Sequence, residues 1–242
     1  MTGDRERRSS SRTGTLIGGV CVLLAAALTA LVVVDWSPLL SLDGRVARGL
    51  HGYAVGHPGV TGAVRFLSDW VWDPWTMRAL TALACLWLWR RGERVRAWWC
   101  AAAVLVAAAV QQGLKAAVGR TRPVWPDPVD SGHFAAYPSG HALTATVVCG
   151  LLLWLAPRSR AVRAAAWAAA LVSVAGVGFT RVYLGVHWLS DVAGGWLLGA
   201  ALAAFTIGAV GRAGGAGGGL APSGTAGGGR SPASPTTNDS AR

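Results

Sequence analysis

Three side chains in the last third of the chain raise the chemical question. Arg181, His187 and Asp191 lie in the run Arg-Val-Tyr-Leu-Gly-Val-His-Trp-Leu-Ser-Asp, which ends one apolar segment and begins another. His187 and Asp191 are spaced i, i+4, so on a helix they share one face about one turn apart. A carboxylate in that relation bonds one imidazole nitrogen and leaves the other aimed at a substrate. A membrane-surface histidine beside a helix-capping aspartate has the same local sequence, so this stretch does not decide the matter alone.

A second stretch, Lys115-Ala-Ala-Val-Gly-Arg-Thr-Arg122-Pro123, follows another apolar run. Lys115 is the only lysine among 22 basic side chains. Lys115 and Arg122 are seven apart, two helical turns, although Gly119 interrupts the run. A planar guanidinium with an ammonium suits an oxyanion that offers several acceptor oxygens, phosphate above all. The competing reading is basic residues snorkelling to a membrane interface, and Arg120 is assigned to it.

A third stretch, Tyr137-Pro138-Ser139-Gly140-His141, opens a further apolar segment. Proline and serine are helix-start signals, and Ser139 is a good N-cap. The first turn of a helix presents unpaired N–H groups that can hold an anion, and Gly140 lets the anion approach the backbone. His141 in that turn would point at the same anion. His133, in the preceding loop, receives no role.

The elements that must position these groups cross a bilayer. The chain is 52% hydrophobic and 14% charged, well below the roughly 25% charge of soluble domains. Apolar runs near the roughly 20 residues needed to span a membrane recur along it. The spacing predicts an all-α, polytopic membrane protein with six transmembrane helices, at about 15–34, 74–89, 97–114, 139–156, 164–180 and 187–210. Residues 1–14 read as an N-terminal arm. Residues 36–73 read as an outer loop with short surface helices, within a region 15–96 that carries the first two spans. Residues 97–210 read as the core that carries the chemistry, and 211–242, rich in Gly, Ser, Ala, Pro and Thr, as a disordered tail. His51 and His57 in the loop read as solvated, and Asp69 and Asp73 as interfacial charges beside an aromatic belt.

The net charge of +11 is assigned to topology and anionic headgroups, not to nucleic acid. Arginine clusters at 5–12, 90–96 and 158–163 fall on one side of the six-span arrangement, so that side is expected to be cytoplasmic, with both termini inside. The three polar stretches then share the extracytoplasmic face. The four cysteines lie in apolar segments and read as packing residues, not as a disulfide framework.

Taken together, Lys115-x6-Arg122-Pro123, Pro138-Ser139-Gly140-His141 and Arg181-x5-His187-x3-Asp191 resemble the type 2 phosphatidic acid phosphatase (PAP2) superfamily, which includes membrane lipid phosphatases and soluble vanadium haloperoxidases. The third motif of that family usually begins Ser-Arg; here Thr180 keeps the hydroxyl. The resemblance implies a helical-bundle core with His187 as nucleophile, Asp191 orienting it and His141 as general acid. It also implies that Lys115, Arg122, Ser139, Gly140 and Arg181 hold the phosphoryl oxygens. It implies a metal-free, cofactor-free phosphatase acting on a lipid phosphate or diphosphate, such as phosphatidic acid, phosphatidylglycerol phosphate or a polyprenyl diphosphate. A phosphotransferase would use the same residues. A transporter would instead place charges near the middle of the spans, which are Ala-, Leu- and Val-rich. Oligomeric state is not legible in the chain.

Overall fold

The computed structural model describes residues 2–157 and 159–216, and every regular element within them is helical. The order is α1 (Thr2–Val33), α2 (Ser37–Gly56), α3 (Pro58–Phe66), a π-helical turn (Leu67–Val71), α4 (Pro74–Arg90), α5 (Arg94–Val118), α6 (Gly140–Leu155), α7 (Arg160–Tyr183) and α8 (Leu189–Ala216). Punctuation in the sequence explains the boundaries. Proline occupies the first turn of α2, α3 and α4, where a missing N–H costs nothing. The Asp73 carboxylate caps α4, accepting from the N–H groups of Trp75 at 2.6 Å and Thr76 at 3.3 Å. Gly119 ends α5 in the left-handed region at φ 61°.

Among the described residues, four helices are long and apolar enough to cross a membrane: Arg12–Val33 within α1, then α5, α7 and Leu189–Arg212 within α8. The other two expected spans correspond to α6, apolar but only 16 residues long, and to α4, 17 residues with Arg78 and Arg90. Large apolar side chains such as Leu23, Leu83, Leu105, Leu171 and Val172 point outward. A helix with its backbone bonds satisfied internally and its apolar side chains outward is what a hydrocarbon solvent demands.

The bundle is built around α6, which packs against α4, α5, α7 and α8. On one side Leu143, Val147 and Leu151 are buried with Leu88, Ala97, Cys100, Ala103 and Ala107. On the other, Ala142 and Ala145 meet Val177, Val182 and Val192. The approach of α8 to α6 depends on glycine: a Cβ at Gly195 would lie 2.6 Å from the Ser139 carbonyl oxygen, and one at Gly199 2.8 Å from that of Leu143. Small residues at such a crossing let two backbones close up where lipid gives no hydrophobic drive. α1 lies along α8 in the same way, with Gly14 against Ala204 and Gly18 against the Phe205 ring.

Three expectations about segments are revised. Residues 36–73 are helical almost throughout instead of forming a loop with short helices. Gly44, Gly49 and Gly52 sit within α2 without breaking it, and the helix ends at Gly56, ahead of Pro58. The described part of the 1–14 arm belongs to α1, and α8 runs on to Ala216, beyond the expected start of the tail. Residues 217–242 lie outside the described residues.

Candidate active site

The first motif does not continue as one helix. α5 delivers Lys115 on its last turn, and Gly119 then turns the chain into the segment that carries Arg122. The Lys115 ammonium donates to the Ala135 carbonyl oxygen. Arg122 is gripped by carbonyls: Nε donates to Phe134 at 2.9 Å, Nη2 to His133 at 2.9 Å, and Nη1 to Val186. Its Nη1 also lies 3.2 Å from His187 Nε2. These bonds fix the guanidinium plane, which a single carbonyl contact would not do.

α7 ends by presenting Arg181, which is 5% exposed. Its Nη1 donates to Ser68 Oγ at 2.7 Å and lies 3.8 Å from Asp130 and 3.9 Å from Asp69. A tight turn at Gly185, φ 69°, follows. The turn is pinned by Trp125 Nε1, which donates to the Gly185 carbonyl at 2.8 Å. A side chain at position 185 would be strained by that φ and would also collide with Trp125 and His51.

His187 precedes α8, and Asp191 lies in its first turn. The i, i+4 relation therefore spans a helix start, not a helix interior. Asp191 Oδ2 accepts from the Trp188 N–H at 2.8 Å, the carboxylate half of a capping box. The same oxygen faces His187 Nδ1 at 3.3 Å. A carboxylate only accepts, so Nδ1 carries the proton and Nε2 the lone pair.

Ser139 stands at the N-cap position of α6, yet its side chain makes no capping bond. Its N–H donates to the Asp191 carbonyl at 2.9 Å. Its fully buried Oγ has no hydrogen-bond partner among the described residues, and neither does Arg181 Nε. A Cβ at Gly140 would meet the Gln111 side chain at 2.6 Å. His141, in the next position, lies within electrostatic reach of the Arg181, Arg122 and Lys115 cations and of the His187 ring. The fold thus brings all eight residues singled out in the sequence to one end of the bundle.

Electrostatics favour an anion there. His187 titrates well below the ordinary histidine range because burial penalises its charged form, and Arg122, Arg181 and Lys115 add repulsion; a backbone hydrogen bond at Ala136 opposes them. Burial likewise lowers Arg122, with Asp191 and Asp130 opposing. Burial raises Asp69, with Asp130 adding to it and Arg181 opposing. Among the described residues no group of three or more His, Cys, Asp or Glu side chains is placed to hold a metal ion.

Several participants escaped the sequence reading. Arg120 does not snorkel: its side chain, 10% exposed, bridges Asp43 at 2.8 Å and Asp191 at 2.6 Å. Asp43 comes from α2, 77 positions before Arg120, and no spacing rule links them. Ser68 and Asp69, which face Arg181, come from the π-helical turn. His51 is buried, not solvated; it stacks on Trp125 with ring centres 4.1 Å apart, and burial lowers its pKa. The helical spacing of His51 from Ala47 and Ala54, four and three positions away, is the local signal that could have placed its ring inside. His57 is exposed, as read.

Comparison with known proteins bears on the same region. Residues 96–214 match the family model of the PAP2 superfamily. Over 64 residues the chain is 41% identical to an undecaprenyl-diphosphatase of Sulfolobus acidocaldarius; that stretch is 26% of this chain and 28% of the relative, so it spans less than a third of that curated protein. The fold is similar to the crystal structure of a transmembrane PAP2-type phosphatidylglycerolphosphate phosphatase from Bacillus subtilis. The TM-score is 0.64 at 20% identity, and the match covers 85% of this chain and 98% of the other. The matched segment, residues 96–214, is just under half of the chain, and it holds all three motifs that meet at one end of the bundle; over that segment the chain is similar to the PAP2 superfamily.

Proposed function

We propose that this membrane protein hydrolyses a lipid phosphate or diphosphate at the extracytoplasmic face, through a phosphohistidine and without a metal ion. One observation carries the reading. Beside the buried imidazole of His187, whose pKa burial and nearby cations lower, Ser139 Oγ and Arg181 Nε are buried polar atoms without partners among the described residues. The Ser139 N–H is bonded to the Asp191 carbonyl and the His187 N–H to the Arg181 carbonyl, so both residues border His187; since buried polar groups are almost always paired, the two unpaired atoms fit a site completed by a ligand with many oxygens.

In this mechanism the phosphoryl oxygens take the N–H groups of Arg122, Arg181, Lys115 and Gly140 together with the Ser139 hydroxyl. Binding an oxygen draws Arg122 off His187 Nε2 and frees its lone pair. Nε2 attacks phosphorus in line while the bond from phosphorus to the leaving oxygen breaks, and His141 gives that oxygen a proton. Asp191 holds the Nδ1 proton and balances the positive phosphoimidazole. Water then cleaves the P–N bond, His141 takes its proton, and inorganic phosphate leaves. The fixed donors offset the charge that grows on the equatorial oxygens. Neutral His187 is the form that attacks, so the rate falls on the acid side as its imidazole takes up a proton.

The substrate class is supported by the setting, a polar site at the end of apolar helices, and by the names of the relatives, one an undecaprenyl-diphosphatase and one a phosphatidylglycerolphosphate phosphatase. The arginine-rich turns at the other end support an outward-facing site. The test is purified protein in vesicles against a panel of lipid phosphates and diphosphates, with phosphate release measured with and without EDTA. Release from at least one lipid, unaffected by EDTA and abolished in His187→Ala, is expected. No release from any of them, or loss with EDTA that Mg²⁺ restores, would overturn the reading.

A further inference from the structure

We propose that Asp43 and Arg120 are positioning residues for His187, acting through Asp191, so that α2 belongs to the catalytic unit although it lies outside the segment that matches the family. The inference rests on the reading of His187 given above. Asp191 is fully buried and divides its two oxygens. Oδ2 faces His187 Nδ1 and the Trp188 N–H; Oδ1 accepts from Arg120 Nη1 at 2.6 Å. Arg120 Nη2 reaches Asp43 Oδ2 at 2.8 Å, and Arg120 Nη1 also donates to Ser190 Oγ at 2.7 Å. Asp43 Oδ1 in turn accepts the Ser190 N–H at 2.9 Å, and its Oδ2 accepts the Ser190 hydroxyl. One guanidinium thus clamps a carboxylate of α2 to a carboxylate of α8, and the α2 carboxylate grips the residue beside Asp191.

Charge explains why two carboxylates are used. A buried carboxylate beside a neutral imidazole is costly without a cation, and Arg120 supplies it. Arg120 alone would cancel Asp191 and leave little attraction for the positive imidazole of the phosphohistidine. Asp43 restores the balance: Asp43, Arg120 and Asp191 sum to −1, on the Nδ1 side of His187. Arg122 lies on the Nε2 side, where the phosphoryl group arrives. The guanidinium is further held over the Trp188 ring, 5.6 Å from its centre.

Near-isosteric variants test this in vesicles: Asp43→Asn, Arg120→Gln, Arg120→Lys and the Asp43→Asn/Arg120→Gln pair. Each is normalised to folded protein by gel filtration and thermal melting. Loss of the Arg120 bond to Asp191, or of the Asp43 bond that holds Arg120, is expected to lower kcat by about 10- to 100-fold, with KM within about threefold and less phosphohistidine trapped on rapid quench. Arg120→Lys should recover part of kcat, because it keeps the charge but not the fork. The double variant should be no worse than Arg120→Gln, as expected of groups acting in one chain. Unchanged kcat per folded molecule in Asp43→Asn and Arg120→Gln would overturn the inference, as would a loss accounted for wholly by the unfolded fraction. His187→Ala separates the two failures. If it turns over normally, the underlying mechanism fails; if it is inactive while Asp43→Asn and Arg120→Gln match the wild type, only this inference fails.

Discussion

The N–H of Ser139 donates to the carbonyl oxygen of Asp191 across 2.9 Å, joining the start of α6 to the first turn of α8. Two motifs 52 positions apart in sequence are thereby locked in register by backbone alone. Gly195, one turn further along α8, lies against the carbonyl of the same Ser139.

That contact makes Gly195→Ala a test of the register. Alanine gains up to about 1 kcal/mol in helix propensity. Its Cβ, however, would sit 2.6 Å from the Ser139 carbonyl oxygen and 3.0 Å from the Leu143 nitrogen, and backbone cannot rotate out of the way. Overpacking of this kind costs about 1–3 kcal/mol, so a net loss of stability is expected, with reduced turnover as Ser139 is displaced. Gly113→Ala, where a Cβ meets nothing within 4 Å, should leave the melting temperature unchanged or raise it.

Ser139→Ala should separate stability from activity. The hydroxyl is buried, makes no cap bond and has no partner among the described residues. Its removal takes away an unsatisfied group and costs no hydrogen bond within the protein, so melting should stay level or rise by about 1 kcal/mol. Phosphate release should fall about tenfold or more, the value of one donor to the reacting group. A marked drop in stability would mean that Ser139 Oγ is bonded within the fold.

The depressed pKa of His187 has a definite sign in stability. The unfolded chain takes up this proton first as pH falls, so the stabilisation is full above about pH 6.5 and declines below it. Thermal melting from pH 7.5 to 5 should show a fall below about 6.5 that is shallower in His187→Asn. For the same reason, an acidic limb of kcat/KM assigned to His187 should lie well below 6.5. Arg122→Gln removes one of the repelling cations and should move that limb up toward neutrality.

Vanadate should inhibit competitively with the lipid, because its trigonal-bipyramidal adduct on an imidazole nitrogen resembles the transition state. Inhibition should survive EDTA, and vanadate binding should weaken in His187→Ala. Binding of equal strength to wild type and His187→Ala, measured by titration calorimetry, would remove His187 from the anion site.

The parts legible in sequence were those encoded at short range. Lys115 and Arg122, Ser139 through His141, and Arg181 through Asp191 are each confined to one local run, so spacing and helix-start chemistry could single them out. Asp43 and Arg120 were not legible, because their partnership depends on a tertiary approach between α2 and α8. Snorkelling and ion pairing make the same demand on an arginine in isolation, and only the position of Asp43 decides between them. The 36–73 segment was misread for a different reason. Its glycines signal breaks in water, where each costs a helix about 1 kcal/mol. Gly44, Gly49 and Gly52 nevertheless lie inside α2, whose face with Ala47, His51 and Ala54 is buried, so packing outweighs their propensity. His51 followed the same path, since its burial depends on Trp125 from a distant segment.

The brevity of α6 has a consequence for where a headgroup must go. Sixteen residues rise about 24 Å, against a hydrocarbon slab of about 30 Å. The helix that carries His141 is shorter than α5, α7 and α8, three of the helices it packs against, so its first turn need not lie level with their ends. On the function proposed above, a headgroup would have to enter between those longer neighbours to reach it.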